Sequence, residues 1–223
     1  MSISCLQYMS PFKIPSSKVQ MGLASNGGYV LCQLAIDHTK VLVSAGIAED
    51  YDFELQFADM VPEAMVYMYD PAFLHTFDNP NIHYFQSYFT RELCIEYSDR
   101  NSYLKMDIEQ AEYGVLQGVS GLQYCGLTIE WHGHGTAFNR MGEFMKLAEE
   151  LTHDYVLYHI HANNAGGTCE HDGYDLPETF ECSYIRRDLV PGSLQHDFGK
   201  WPTEYDSPTA AHKPDIELKW MDK

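Results

Sequence analysis

The sequence predicts an α/β fold built on a mainly parallel sheet with helices on both faces. Its 223 residues alternate short apolar runs with amphipathic stretches, which is the pattern of repeated βαβ units. Strands in such a sheet are buried on both faces and therefore appear as nearly continuous apolar runs. The length suits one domain with a substantial core. We therefore expect a single domain over residues 1–223.

Seven apolar runs are predicted as strands. In chain order they cover residues 41–48, 64–69, 82–89, 103–108, 126–131, 155–161 and 180–186. The first run ends near Gly46, and the Asp-Pro pair at 70–71 stops the second, because proline cannot continue a regular ladder.

Amphipathic stretches between these runs are predicted as helices. Apolar residues recur at helical spacing in residues 53–60 and again in 138–148. Residues 109–116 are predicted to open a further helix, with acids in the first turn where the helix dipole favours negative charge.

The segment between the sixth and seventh runs follows neither pattern. It holds Gly166, Gly167, Gly173 and Pro177 without a helical period, so we expect a loop leading to an antiparallel return strand. The residues before Met21 and the segment 192–215 are expected to wrap the surface, before residues 216–220 dock on it.

The charge of the chain argues against nucleic acid as a partner. Lys and Arg number 14 against 32 Asp and Glu, a formal net charge of −18, whereas phosphate contacts need basic residues. No apolar run reaches the ~18 residues of a membrane span. The first residues lack the basic and apolar regions of a signal peptide. The six cysteines show no zinc-finger or redox spacing, so we expect a reducing, cytoplasmic location.

Three features are predicted to meet at one edge of the sheet, outside the carboxyl ends of the strands, where open α/β sheets bind ligands. Gly46 allows close backbone approach to a ligand, and Asp70 can accept hydrogen bonds from both hydroxyls of a ribose. Asp107 ends the fourth strand, followed by Glu109 and Glu112. This combination favours a nucleoside ligand without the glycine motifs of dinucleotide enzymes or nucleoside triphosphatases. The alternative is an acidic helix start that binds nothing.

Histidines supply candidate bases, because the pKa of imidazole suits proton transfer near neutral pH. His132 and His134 follow the fifth strand, and His159 and His161 end the sixth. We expect His132 and His161 at adjacent carboxyl ends of the sheet. One alternative is a structural role in bonding backbone carbonyls. A second is a divalent metal, which is not favoured because Mg²⁺ prefers a richer oxygen shell; its ligands would be Asp107, Glu130, His132 and His161.

Seven ordered segments over roughly residues 20–220 resemble motifs of the FkbM-type S-adenosylmethionine-dependent methyltransferases. Segment 22–31 resembles G-x-x-N-D-G-G-Y-x-x, and 44–54 resembles S-x-G-I-x-x-D-x-S-F-E. The remaining five are 69–71 (F-D-P), 104–112 (L-K-M-D-I-E-G-A-E), 129–133 (I-E-F-H-G), 159–164 (H-x-H-x-N-N) and 205–216 (D-x-P-N, then K-P-x-I). Two positions depart from the family. Asn26 replaces an Asp, and Gln110 replaces a Gly, which we predict to be a surface-helix change of little effect.

The resemblance implies a class I methyltransferase Rossmann-like fold: a mainly parallel seven-stranded sheet with an antiparallel last strand. It implies S-adenosylmethionine as cofactor and a sugar, glycan or glycosylated small molecule as the hydroxyl acceptor. Catalysis would fall to His132, His161 and Asp107. The cofactor would be bound by Asn26, Gly27, Gly28, Tyr29, Gly46, Glu54, Asp70 and Asp107, and the acceptor by Glu109, His134, Asn163 and Asn164. The alternative is a metal-dependent hydrolase or a non-catalytic binding protein on the same fold.

Overall fold

The computed structural model describes residues 8–23, 28–118, 121–133, 140–171 and 173–221. The strands in these ranges are β1 (Phe12–Lys13), β2 (Lys18–Met21), β3 (Tyr29–Cys32), β4 (Val41–Ala45), β5 (Met65–Tyr69), β6 (Ile82–Phe85), β7 (Ser102–Met106), β8 (Gly126–Trp131), β9 (Tyr155–His171), β10 (Tyr174–Arg186) and β11 (Gln195–His196). The α-helices are α1 (Gln33–His38), α2 (Asp52–Met60), α3 (Arg91–Glu96), α4 (Glu112–Leu116) and α5 (Met141–Leu151). Short 3₁₀ turns cover Arg187–Leu189 and Lys219–Met221.

Seven of the strands form one sheet in the order β6-β5-β4-β7-β8-β10-β9. The first five strands in this order, β6, β5, β4, β7 and β8, run parallel to one another, and β10 runs antiparallel to both of its neighbours. This is the class I methyltransferase Rossmann-like fold. The predicted fold class is therefore confirmed, including the antiparallel return strand.

Helices cover both faces of this sheet because successive strand residues point to opposite sides. Leu42 of β4 packs in the core with Ile36 of α1 and Phe57 of α2. Val43, the next residue, belongs to the other core, with Leu116 of α4 and Phe144 of α5. Each face of the sheet thus has its own apolar layer. The ends of the strands, between these two layers, are where a ligand site can form.

The expected loop between the sixth and seventh strands is wrong. β9 continues to His171 and β10 begins at Tyr174, so residues 162–171 and 174–179 belong to a long antiparallel hairpin. Pairing between the two strands satisfies backbone hydrogen bonds that a loop would leave to water. The register shifts between Pro177 and Thr179, so that residues 164–167, with Gly166 and Gly167, bulge from the ladder opposite Glu178.

The turn between β7 and α4 also differs from its prediction. The helix begins at Glu112, three residues later than expected, and Glu109 and Gln110 adopt φ of 53° and 77°. Gln110 is therefore not a surface-helix residue. Its left-handed backbone explains why a glycine suits this position in the family that the sequence resembles.

Both terminal regions pack against the sheet domain. β1 pairs with β11, and Leu218, Trp220 and Met221 are buried in the core with α5. Within the described residues, no helix combines the length and apolarity needed to cross a membrane. The described cysteines are free thiols, at positions 32, 94, 125, 169 and 182.

Candidate functional site

A cavity of ≈ 520 Å³ opens at the carboxyl edge of the parallel strands. Its size falls within the range of small-molecule sites. One end is lined by aromatic and apolar side chains, among them Ile47, Tyr69 and Phe89, with exposed Tyr88 at the rim. The other end carries acids, a histidine and an amide: Asp107, Glu109, Glu130, His132 and Asn163. The cavity thus offers an apolar surface and an acidic surface to one ligand.

Gly46 lines the cavity after β4, as predicted. Its close backbone contact is with another part of the protein, the backbone of Asp107. Its φ is +78°, and a Cβ at this position would lie 1.5 Å from the backbone oxygen of Asp107. The Lys105 ammonium donates to the Gly46 carbonyl at 2.5 Å. No side chain fits here, so the turn holds two strand ends together at the site.

Glu54 lies behind this turn rather than in the cavity lining. Its carboxylate is buried, accepts a hydrogen bond from Ser44 Oγ, and lies 4.0 Å from the Lys105 ammonium. This placement argues against the predicted direct contact with a cofactor. Glu54 instead neutralises the lysine that holds Gly46.

Asp70 lines the cavity after β5, but its carboxylate is bound by backbone amides. Oδ2 accepts from Ile47 and Ala48 at 3.0 and 2.9 Å, and Oδ1 accepts from Ala72 and Phe73 at 2.7 and 3.4 Å. Burial opposes the charge, yet these bonds outweigh it and lower the pKa of Asp70. A carboxylate offers about four lone-pair sites. The predicted bonds to two ribose hydroxyls would therefore have to share oxygens already bonded to the backbone.

Four polar side chains meet at the acidic end of the cavity. Tyr29 Oη donates to Asp107 Oδ2 at 3.1 Å and to Glu130 Oε2 at 2.9 Å. His132 Nε2 lies 3.7 Å from Asp107 Oδ1 and 3.7 Å from Glu130 Oε1. Asp107 follows β7 and Glu130 belongs to β8, its neighbour in the sheet. We call Asp107, Glu130 and His132 the acidic cluster.

Glu112 supports this cluster from behind, a role that the sequence did not reveal. Its buried Oε1 accepts from the Ile108 amide at 2.9 Å and contacts His132 Nδ1 at 3.1 Å. The other carboxylate oxygen is buried and has no hydrogen-bond partner among the described residues. The signal in the sequence was the run of three acids after β7, of which the last turns inward.

The electrostatics of the cluster follow from burial and crowding. Burial opposes charge on His132, but the bond to Glu112 and the charges of Glu130, Glu112 and Asp107 outweigh it and raise the pKa to about 9. Burial, Asp107 and Glu181 all hold the pKa of Glu130 well above its usual range. The crowding of carboxylates around His132 therefore favours its protonated form.

His161 does not join His132, contrary to the predicted adjacency. The antiparallel β10 lies between β8 and β9, and its Glu181 pairs in register with Glu130 on one side and His161 on the other. His161 Nδ1 contacts Glu181 at 2.8 Å, and Nε2 contacts Asp215 at 3.1 Å. Burial opposes its charge, but these carboxylates raise its pKa to about 11. This placement argues against His161 as a base.

The motif at 159–164 instead holds the C-terminal tail. His159 Nε2 contacts Asp206 at 2.7 Å. The Asn164 amide donates to the carbonyls of Ala210, Lys213 and Pro214 at 3.2 Å and accepts from the Ala210 amide at 2.7 Å. Asn164 is thus used by the tail rather than offered to an acceptor.

The remaining predicted residues divide by position. Asn163 lines the cavity and donates to Glu130 Oε1 at 2.8 Å, although it lies in β9 and not in the flexible loop that we expected. Glu109 lines the mouth, with a side chain 87% exposed, and Gly28 also lines the cavity. Asn26, Gly27 and His134 lie outside the described residues. Thr209, which the sequence did not indicate, lines the cavity from the tail.

Comparisons with known proteins match the fold alone. No protein-family model matches the sequence, and no curated protein matches it. A precorrin-6y C5,15-methyltransferase from Geobacter metallireducens is similar in structure, with 8% identity, a TM-score of 0.42, and coverage of 69% of this chain and 87% of that one. A variant of a 16S rRNA (adenine(1408)-N(1))-methyltransferase from Catenulisporales acidiphilia has 12% identity, a TM-score of 0.38, and coverage of 78% and 99%.

Proposed function

We propose that this chain is an S-adenosylmethionine-dependent O-methyltransferase acting on a hydroxyl group of a sugar or glycan. One observation carries the proposal: the acidic cluster opens into the same cavity as the Gly46 turn and Asp70, at the carboxyl edge of a class I methyltransferase sheet. Ligands of open α/β sheets bind at this edge. The resemblance of seven ordered segments to FkbM-type enzymes supports the acceptor class.

The residues present suit the cofactor at both ends of the cavity. Its aromatic end, with Tyr69, Tyr88 and Phe89, offers surfaces for a nucleoside base. Its acidic end places Asp107 where a carboxylate favours a positive charge. When bound, S-adenosylmethionine supplies an electrophilic methyl group on a cationic sulfur.

The charge of the lining favours a neutral acceptor. Lys105 is the one lysine or arginine among the lining residues that the structure describes, and its ammonium is held by Gly46. A phosphorylated or otherwise anionic acceptor would face the carboxylates of Asp107, Glu109 and Glu130 with no lysine or arginine free to pair with it among the described lining residues. A sugar hydroxyl needs only hydrogen-bonding groups, which the same side chains and Asn163 provide.

The chain must also take the proton of the acceptor, because a sugar hydroxyl is a poor nucleophile at neutral pH. Of the two predicted bases, His132 lines the cavity and His161 does not. Two routes are open to the acidic cluster. His132 can act as a free imidazole once it has lost its proton, or the cluster can hold a cation that acidifies the hydroxyl.

Calorimetry with the full chain tests the cofactor. We expect Kd values in the micromolar range, about −8 kcal/mol, for S-adenosylmethionine and S-adenosylhomocysteine. Asp107→Asn should weaken the sulfonium cofactor about tenfold and the uncharged product less, because only the first has a positive sulfur. Asp59→Asn, at an exposed position on α2, is the matched control. Equal losses for both ligands would remove Asp107 from the proposed role.

Transfer of a labelled methyl group tests the acceptor. The panel should hold neutral glycosides, nucleotide sugars, RNA and a protein mixture. We expect label in the neutral glycosides. Label only in RNA or protein would refute a sugar acceptor, and a chain that binds neither cofactor form would favour the hydrolase or binding-protein alternative.

A further inference from the structure

We propose that Asp107, Glu130 and His132 form a binding site for a divalent transition-metal cation, for which Mn²⁺ serves as the probe. One ligand atom from each residue lies within 4.8 Å of the others. The binding of a cation does not depend on the proposed function. Its purpose, to activate the acceptor hydroxyl, rests on that function.

The distances within the acidic cluster suit a shared ion better than direct pairing. His132 Nε2 lies 3.7 Å from Asp107 Oδ1 and from Glu130 Oε1, beyond the ~3.2 Å limit of a good hydrogen bond. Ligands bound at right angles to one cation at about 2.1–2.3 Å lie about 3.0–3.3 Å apart. The two distances from His132 Nε2 would have to shorten by about 0.4–0.7 Å to reach this spacing, and the three atoms already lie within 4.8 Å of one another.

The orientation of His132 presents Nε2 to this point, where a cation would displace the Nε2 proton and use the lone pair. The Glu112 carboxylate already accepts from the Ile108 amide, and an ionised carboxylate can only accept. Nδ1 of His132 must therefore carry the proton in their 3.1 Å contact, which leaves Nε2 as the ligand atom. A buried carboxylate behind a histidine is the usual support of a metal-bound imidazole, because it fixes the ring and raises its basicity.

The two carboxylates are held facing each other with too few donors. A single phenol proton, that of Tyr29, lies between Asp107 Oδ2 and Glu130 Oε2 at 3.1 and 2.9 Å, and it can satisfy only one of them fully. Asn163 fixes the other oxygen of Glu130 at 2.8 Å. A dication between the carboxylates would relieve their repulsion, and Tyr29 and Asn163 would keep both oriented.

The donor set selects among cations. Two carboxylates and one imidazole suit a divalent first-row transition metal better than Mg²⁺, which prefers oxygen throughout, and Mn²⁺ is the probe used below. Three protein ligands leave positions that face the cavity. The hydroxyl oxygen of the acceptor would occupy one of them, and its pKa would fall. The new oxygen–methyl bond forms as the sulfur–methyl bond breaks, sulfur keeps the electron pair, and the hydroxyl proton passes to exposed Glu109 and then to water.

Titration of Mn²⁺ into tag-free, EDTA-treated full-length protein tests the site directly. Electron paramagnetic resonance should show loss of the free Mn²⁺ signal to a single site, and spin-echo modulation should show a directly bound imidazole nitrogen. His132→Gln and Asp107→Asn should each weaken binding at least tenfold. His38→Gln and Asp59→Asn, both at exposed helix positions, should leave it unchanged.

The readouts separate this inference from the proposed function. If the protein binds S-adenosylhomocysteine but no Mn²⁺, or binds Mn²⁺ without a nitrogen ligand, the cation site is wrong and the methyltransferase proposal stands. If it binds Mn²⁺ through His132 but neither cofactor form, the site stands and the methyltransferase proposal fails. The nitrogen signal is measured on the wild-type chain, so a variant that fails to fold does not affect the decision.

Discussion

Replacing Gln110 by glycine should stabilise the protein, although the change removes a side chain beside the site. Gln110 has φ of +77°, a left-handed conformation that costs an L-residue about 1–2 kcal/mol. Glycine avoids this strain but loses about 0.5–1 kcal/mol more conformational freedom on folding. The difference predicts a gain of about 0.5–1 kcal/mol in the free energy of unfolding. The backbone carbonyl of residue 110 would still accept from Arg140 Nη1, now at 3.1 Å.

Urea denaturation of wild type and Gln110→Gly measures this gain, and the melting temperature should rise by about 1–4 °C for a chain of this size. Gln117→Gly is the matched control. Gln117 is exposed, with φ of −58°, so the same chemical change should there lower stability by about 0.5–1 kcal/mol. If both variants lose stability, the strain assigned to Gln110 is absent.

Three further outcomes are expected. Asp70→Asn should lower the free energy of unfolding by about 2–4 kcal/mol in urea titrations, because an amide group would oppose backbone donors that now bind a carboxylate; an unchanged midpoint would contradict this. His161 has a pKa of about 11 beside Glu181 and Asp215, far above the ~6.5 of an unfolded chain. The stabilisation that protonated His161 gives the folded state is complete below pH ~6.5 and is lost as the pH rises towards 11. The free energy of unfolding of the wild type should therefore fall more steeply between these pH values than that of His161→Gln. Gly46→Ala should prevent folding, seen as loss of soluble protein, since a Cβ would meet a backbone oxygen at 1.5 Å.

Much of the sheet was predictable because its strands are buried on both faces. The runs that became β4, β5, β7 and β8 are mostly apolar, so their centres were found and their ends missed by three residues or fewer. The carboxyl ends of parallel strands meet at one edge, which placed Gly46, Asp70 and Asp107 together.

Three features depend on contacts between residues distant in sequence, so the sequence alone did not predict them. Glycines and a proline in residues 162–179 indicated a loop, yet the residues that flank Gly166 and Gly167 pair between β9 and β10, and these two glycines lie in a bulge of the hairpin. The insertion of β10 between β8 and β9 separated His132 from His161, which local spacing cannot show. Glu112 looked like an exposed acid at a helix start, and only packing reveals that it turns inward to His132.

The bonds between β9 and the tail bear on how this protein is made. Thr209 forms part of the cavity wall, and the segment around it is fixed by side chains of the motif at 159–164, some fifty positions earlier in the chain. During synthesis the parallel strands emerge well before this wall does. The sheet can therefore fold on the ribosome while its cavity is still open on one side, and this wall is completed after residues 206–215 have emerged and docked. A stalled or nicked chain lacking them would retain its core strands and lose the wall of the site.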